Sequence, residues 1–423
     1  MGKLAVLMIT AFIDMAGVLM VVPLLPFYAK TMGAGGFVVG ALVASFAVAQ
    51  IASAPMWGRF SDRYGRRPAL LIGLGASAIA YVIFAYADSL FLLFLSRIVQ
   101  GAGGGTVGVI QAYVTDAVEP KDRARALGWL SAATNAGVAI GPVIGSASTH
   151  FSHRAPGLVA AVLCVINIIF ASKYLIESHD MEHAKKNPQK KGRSREAAWQ
   201  IITKSSDPKA RLIWIYAIGM GAFMGMNAIL ALFLAARFGV TEKTIGFFYL
   251  YIGVISIVTR AGILGRLVDK YGEARLSRLG MSLLTLGLLS LPFVHKLIDA
   301  HALGQTLNGQ IPVTFKAALS FIPILVAVAM IPLGTAFTFP CVTALLSRVI
   351  PANERGLWMG LQQTFGGTAR VVFPLLAGFL FDRMVELPFL VSAALVFATI
   401  FLGLGMEEYT KPKPPPEVEI SPA

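Results

Sequence analysis

Charged and small residues set inside apolar sequence are where this chain could do chemistry. Asp14 stands about ten residues into the first apolar run and is the only carboxylate well inside any predicted helix. At 1.5 Å per residue it lies roughly 15 Å along that helix. A carboxylate at that depth changes its proton affinity as its surroundings alternate between wet and dry, which is what proton coupling requires. The plainer alternative is a fixed partner for a neighbouring cation that never titrates. Arg97, in Arg97-Ile98-Val99-Gln100-Gly101, enters a later run from the opposite side. Its depth of roughly 12 Å is near that of Asp14 in a hydrocarbon core of about 30 Å. A membrane-embedded arginine costs about 3 kcal/mol or more, so it needs a partner. Either it tunes Asp14 in one conformation and releases it in another, or it ties helices together through backbone carbonyls or Gln100. It cannot itself give up the proton.

Other polar residues share these apolar surroundings. Arg370 lies mid-run without an acidic partner in its own half, and either attracts an anionic group or bonds carbonyls. Arg260, nearer a helix end, reads as a snorkelling side chain and not as a site residue. Gln50, Asn135, Asn227 and Gln362, with the aromatic Phe223 and Phe365, are candidates to line a cavity for an amphiphilic ligand. Two cysteines, Cys164 and Cys341, offer neither a disulfide framework nor metal spacing, and the six histidines are scattered. The glycine-rich run 101–105 lacks the Lys-Ser/Thr ending of a phosphate loop. No metal, nucleotide, organic cofactor or enzymatic constellation is expected.

The elements that must position these residues follow from composition. The 423 residues are 56% hydrophobic and 14% charged, with mean hydropathy +0.71, whereas a soluble protein carries roughly 25% charged residues. Twelve apolar runs, each long enough to cross a bilayer, lie near 4–29, 36–57, 68–87, 89–114, 126–148, 155–176, 210–236, 242–265, 276–295, 317–347, 356–381 and 387–406. The fold class is therefore all-α and integral to the membrane. The first run is expected to be a spanning helix and not a cleaved leader. The net charge of +14 concentrates in alternate loops, which places those loops and both termini in the cytoplasm and makes nucleic acid an unneeded partner. A polar basic linker, 177–209, separates an N-terminal bundle (1–176) from a C-terminal one (210–406), ahead of a disordered tail (407–423). The linker is expected to form a short amphipathic helix near Arg195–Thr203 on anionic headgroups.

The halves repeat each other. Gly58-Arg59-Phe60-Ser61-Asp62-Arg63-Tyr64-Gly65-Arg66-Arg67 follows the second run, and Gly265-Arg266-Leu267-Val268-Asp269-Lys270-Tyr271-Gly272 follows the eighth. The shared pattern is Gly-Arg-x-x-Asp-basic-Tyr-Gly. Six-helix repeats of this kind pair about an axis along the membrane normal, with a site between them at mid-membrane.

Over essentially its whole length the chain resembles the major facilitator superfamily. The loop 58–67 matches that family's Gly-x-x-x-Asp-x-x-Gly-Arg-Arg/Lys signature, and Arg97-x-x-Gln100-Gly101 its fourth-helix motif. Gly137-x3-Gly141-Pro142-x2-Gly145 matches the fifth-helix motif of proton antiporters. The first run, with Ile13-Asp14-Met15-Ala16-Gly17 and Pro23-Leu24-Leu25-Pro26, looks like the tetracycline and multidrug branch. Ser146, standing where a second glycine often closes the fifth-helix motif, departs from the pattern. No acidic residue within the seventh to ninth runs supports tetracycline in particular.

The resemblance implies a twelve-helix transporter working by alternating access, expected to export amphiphilic small molecules in exchange for protons as a monomer in a bacterial inner membrane. Asp14 would carry the proton and Arg97 would modulate it. Gly58, Asp62, Gly65, Arg66, Arg67 and Asp116 would form a cytoplasmic latch against the eleventh helix, weakly repeated by Asp269. Gly137, Gly141, Pro142 and Gly145 would face the other half and seal the outside. A lipid or lysolipid translocator and a solute importer remain open on the same scaffold.

Overall fold

The computed structural model describes residues 3–104, 106–119, 122–175, 177, 194–296, 305–306, 315–351 and 354–410. Most of the basic linker, the segment between the ninth and tenth runs, and the 411–423 tail lie outside them. Among the described residues there is no strand. In lipid only a helix bonds all its own backbone, so each apolar run becomes one. The spanning helices are α1 (Leu4–Thr31), α2 (Gly36–Tyr64), α3 (Arg66–Ala85), α4 (Leu90–Gly103, continuing as Thr106–Ala117), α5 (Arg123–Ser148), α6 (Ala155–Tyr174), α7 (Pro208–Phe238), α8 (Ile245–Tyr271), α9 (Glu273–Lys296), α10 (Phe315–Val349), α11 (Arg355–Arg383) and the shorter α12 (Leu387–Leu402). A turn at 22–24, holding Pro23, interrupts α1, while α10 runs through Pro323, Pro332 and Pro340. The expected linker helix occupies Ser194–Thr203; it buries Ala197 and Ile201 and leaves Trp199 and Ile202 exposed.

The repeat read from sequence has a backbone counterpart. Gly65 joins α2 to α3 with φ +102°, and Gly272 joins α8 to α9 with φ +76°. Only glycine adopts that region without strain, so one residue reverses the chain between helices at the same place in each half.

The halves meet along two equivalent seams, α2 on α11 and α5 on α8. A Cβ on Gly40 of α2 would stand 2.1 Å from the Pro374 carbonyl oxygen of α11, and one on Gly246 of α8 would stand 2.6 Å from that of Pro142 of α5. A proline on each fifth helix thus faces a glycine on the second helix of the other half. Side chains of the fifth helices then cap the second. Asp382 accepts from the backbone N–H of Gly36 (2.5 Å) and Phe37 (2.8 Å), and the Ser146 hydroxyl accepts from Gly246 N–H at 2.9 Å. These donors belong to helix N-termini, which have no partner within their own helix. Ser146, a departure from the family pattern in sequence, does bonding work that glycine would not.

Both seams are tight at the end away from the basic loops, the far end. Towards the basic end they part. Ile51 still touches Gly367, whereas Cβ atoms on Gly58, Gly356 and Gly360 would meet nothing within 4 Å. The bundle is therefore closed at the far end and open at the basic one.

Asp382→Ala removes the cap of α2. Loss of an N-cap costs about 1 kcal/mol, which should shift the balance towards opening at the far end by about fivefold. Spin labels at Met32 and Met384 should report a larger population at long distance by double electron–electron resonance. An unchanged distribution would mean that this carboxylate does not hold the far end shut.

Candidate functional site

A cavity of about 900 Å³ opens between the halves, with Asp14, Gln111, Asn135, Arg260 and Thr343 among its lining residues. A second lobe of about 510 Å³ holds Gln50, Trp57, Gln363 and Arg370. Gly108 and Ala112 of α4 border both, so the two are parts of one space.

Asp14 is 5% exposed and accepts a hydrogen bond from the Thr106 hydroxyl at 3.2 Å. Arg97 is 2% exposed, and its Nε and one terminal nitrogen find no partner. The direct Asp14–Arg97 pair that sequence reasoning entertained is not made among the described residues. Tyr81 of α3 lies within charge reach of both. Its hydroxyl accepts from Gln100 at 3.0 Å, and a Cβ on Gly17, three residues beyond Asp14, would lie 3.1 Å from it. Thr106 and Tyr81 were missed in the sequence because hydroxyls in apolar runs are common and carry no spacing signal.

The other polar candidates divide. Gln50 lines the second lobe while donating to the Gly104 carbonyl at 3.0 Å, and Asn135 lines the first while bonding Ser131 within its own helix. Asn227 bonds the Phe223 carbonyl and borders neither lobe. Gln362 is 0% exposed and pairs with Thr343 between helices; its neighbour Gln363 is the one that faces the space. Phe223 and Phe365 pack on the core, Phe365 edge-on to Trp214. The expected aromatic wall is therefore absent from the described lining apart from Trp57, because the helix rotations direct the phenylalanines into packing.

The basic end carries a charged cluster. Arg66 binds Asp62 at 2.7 Å, Asp116 at 3.1 Å and the Ser61 hydroxyl at 2.7 Å. Glu177 accepts from Arg66 N–H (2.9 Å) and Arg67 N–H (3.0 Å), capping α3, and Arg67 also reaches the Ser172 carbonyl at 2.5 Å. A Cβ on Gly65 would lie 2.5 Å from the Glu177 carboxylate, so this turn needs glycine twice over. Asp62, 59% exposed, bonds Arg66 and not α11. Among the described residues Asp62 is thus bonded within its own half. Asp269 is exposed and makes no ion pair among the described residues; Glu273 takes that part in the second half, paired with Arg348.

The glycine motif of α5 needs correcting. Cβ atoms on Gly137, Gly141 and Gly145 would lie 2.4, 2.4 and 2.3 Å from the carbonyl oxygens of Phe12, Ala16 and Met20. All three belong to α1 of the same half. Contact with the other half falls to Ala139, Pro142 and Ser146, on the opposite side of the helix. The motif's glycines bring the Asp14-bearing helix against α5, and of the four expected residues Pro142 alone joins the seam.

Arg260 was set aside in the sequence as a snorkelling side chain. It instead lines the first lobe from a five-residue π-helical segment, Thr259–Ile263, inside α8. Such segments re-aim side chains and recur at functional sites.

The model of the "Major Facilitator Superfamily" matches residues 7–325 and 306–422. Multidrug resistance protein 2 of Bacillus subtilis is 27% identical over 414 residues, covering 96% of this chain and 95% of that protein. The class C tetracycline resistance protein of Escherichia coli is 28% identical over 386 residues, covering 89% and 88%. Among solved structures the nucleoside transporter NupG superposes with a TM-score of 0.70 at 14% identity, covering 98% of this chain and all 100% of that one.

Gly141→Val should force α1 from α5, and overpacking of this kind costs about 1–3 kcal/mol. Gly108→Ala meets nothing within 4 Å and should leave stability unchanged or slightly raised. Thermal unfolding in detergent compares them; equal melting temperatures would refute the close-contact role of Gly141.

Proposed function

This chain belongs to the Major Facilitator Superfamily and is an integral membrane transporter, and from that premise we propose that it exports amphiphilic small molecules in exchange for protons by alternating access. Its similarity to multidrug and tetracycline resistance proteins along nearly the whole of both chains supports the substrate class. One observation carries the coupling: a buried carboxylate, Asp14, the one among the described lining residues, borders a cavity that opens to one end of the bundle while the other is sealed.

The basic end is taken as cytoplasmic by the positive-inside rule, in a bacterial plasma membrane. In the state described, substrate enters from the cytoplasm and Asp14 faces the same space. Parting of the α2–α11 and α5–α8 seams at the far end, with closure of the basic end, would move that space to the outside. Asp14 then meets a different solvent and electrostatic surroundings, and exchanges its proton there. Thr106 holds one carboxylate oxygen by a bond that both protonation states can keep. Arg97 would act at one remove, through Tyr81, holding positive charge behind the carboxylate. In the closed state Asp62 would reach the N-terminus of α11, where the helix dipole favours a carboxylate. Asp382 at the far end already does the reciprocal thing to α2.

A lipid or lysolipid translocator is the second reading. A recess of about 430 Å³ supports it, lined almost wholly by apolar residues of α2, α4 and α11 and flanked by the exposed Val48 and Ile98. An acyl chain could rest in that recess from the bilayer side.

Reconstituted vesicles with an imposed pH gradient test the main reading against a panel of cationic, anionic and neutral amphiphilic drugs. Substrate-dependent proton flux should appear with at least one compound and fall to background in Asp14→Asn. Undiminished coupling in that variant would remove Asp14 as the carrier.

A further inference from the structure

The charge lining the cavity is unbalanced, and the imbalance is cationic. Four charged side chains border the two lobes: Asp14, Arg66, Arg260 and Arg370. Arg66 is neutralised by Asp62 and Asp116, and Asp14 bonds Thr106. Arg260 and Arg370 make no hydrogen bond or ion pair among the described residues, and the Nε of each is buried without a partner. At 1.5 Å per residue they lie roughly 16 and 22 Å along their helices from the basic ends of α8 and α11, and both border the cavity. Both come from the C-terminal half and border a space whose shared wall is α4 of the N-terminal half.

Uncompensated guanidinium groups at mid-membrane are costly unless something brings them negative charge. We propose that Arg260 and Arg370 form an oxyanion clamp, so that the transported molecule is an amphiphile bearing a carboxylate or phosphate and not a lipophilic cation. Guanidinium is the group suited to this, because its planar fork meets either oxyanion with two parallel hydrogen bonds. The π-helical segment gives the clamp its geometry by setting Arg260 into the lobe from a helix that otherwise packs on α5 and α10. Beside the polar Gln111, Asn135 and Thr343, the first lobe presents Met15, Leu127, Leu130 and Met359 to the molecule's apolar body. This inference rests on the export reading, and it specifies the substrate of that same cavity.

The test uses the full chain in lipid nanodiscs and four fluorescent probes on one body: dansyl-undecanoate, dansyl-undecyl phosphate, the undecanamide and the undecylamine. The wild type should bind both oxyanions about ten- to a hundredfold more tightly than the amide or amine, the range for hydrogen bonds to a charged group. Arg260→Gln and Arg370→Gln should each remove about tenfold of that preference while amide affinity stays within about twofold, which also reports an intact pocket. Arg260→Lys and Arg370→Lys should restore part of it through charge without the fork. Tighter binding of phosphate than carboxylate would mark a lipid-type headgroup as the source, and the reverse a carboxylate drug or metabolite; either supports the clamp. Amide and amine binding with no oxyanion preference overturns the clamp and leaves the export reading standing. An oxyanion preference retained in the double Gln variant also overturns it. Failure of all four probes to bind the wild type overturns both.

Discussion

Two close approaches of backbone to backbone, Gly40 on Pro374 and Gly246 on Pro142, hold this molecule in the state described. In a bilayer there is no hydrophobic drive between helices, so association depends on packing area and on polar groups that find partners. Glycine on one helix supplies the area by removing the Cβ. Oxygens of Asp382 and Ser146 supply the partners, by accepting from N–H groups at the start of the facing helix. Both devices concentrate at the far end. The seam is firm there, and the cavity, the exposed Asp62 and the open Gly356 and Gly360 all follow from its absence at the other end.

That arrangement separates two kinds of glycine that look alike in sequence. Those of α5 at 137, 141 and 145 weld α1 and α5 within one half, so the helix bearing Asp14 moves with its own bundle. Those at 36, 40, 246 and 253 lie between halves, and under the proposed alternating access they are the contacts that would be made and broken. A rigid half with a separable seam is what a two-state rocking motion demands, because packed interfaces switch between arrangements and do not deform continuously.

Charge is also divided between the halves. The N-terminal half holds the carboxylate, with Thr106 on it and Tyr81, Gln100 and Arg97 behind. The C-terminal half holds Arg260 and Arg370, facing the space and lacking partners. At the basic end, by contrast, Arg66 is shared by two carboxylates of its own half and Glu177 caps α3.

Much of this was legible along the chain. Hydropathy gives the helices, since an apolar run of bilayer length has only one way to satisfy its backbone. The repeated Asp-basic-Tyr-Gly marks the turns at Gly65 and Gly272, and Asp14 and Arg97 stand out as charges in apolar surroundings. These are local properties, fixed by residue type and distance along the chain. What only the tertiary structure decided is helix rotation and partnership. Successive residues on a helix point about 100° apart, so Gln363 borders the cavity while Gln362 is buried against Thr343. The α5 glycines face α1 instead of α8, and Asp14 is bonded by Thr106 and not by Arg97. Arg260 is carried into the cavity by a π-helical segment that hydropathy does not register. Asp382 reaches Gly36, 346 positions away, and nothing local announces that contact, because it arises from the packing of one half upon the other.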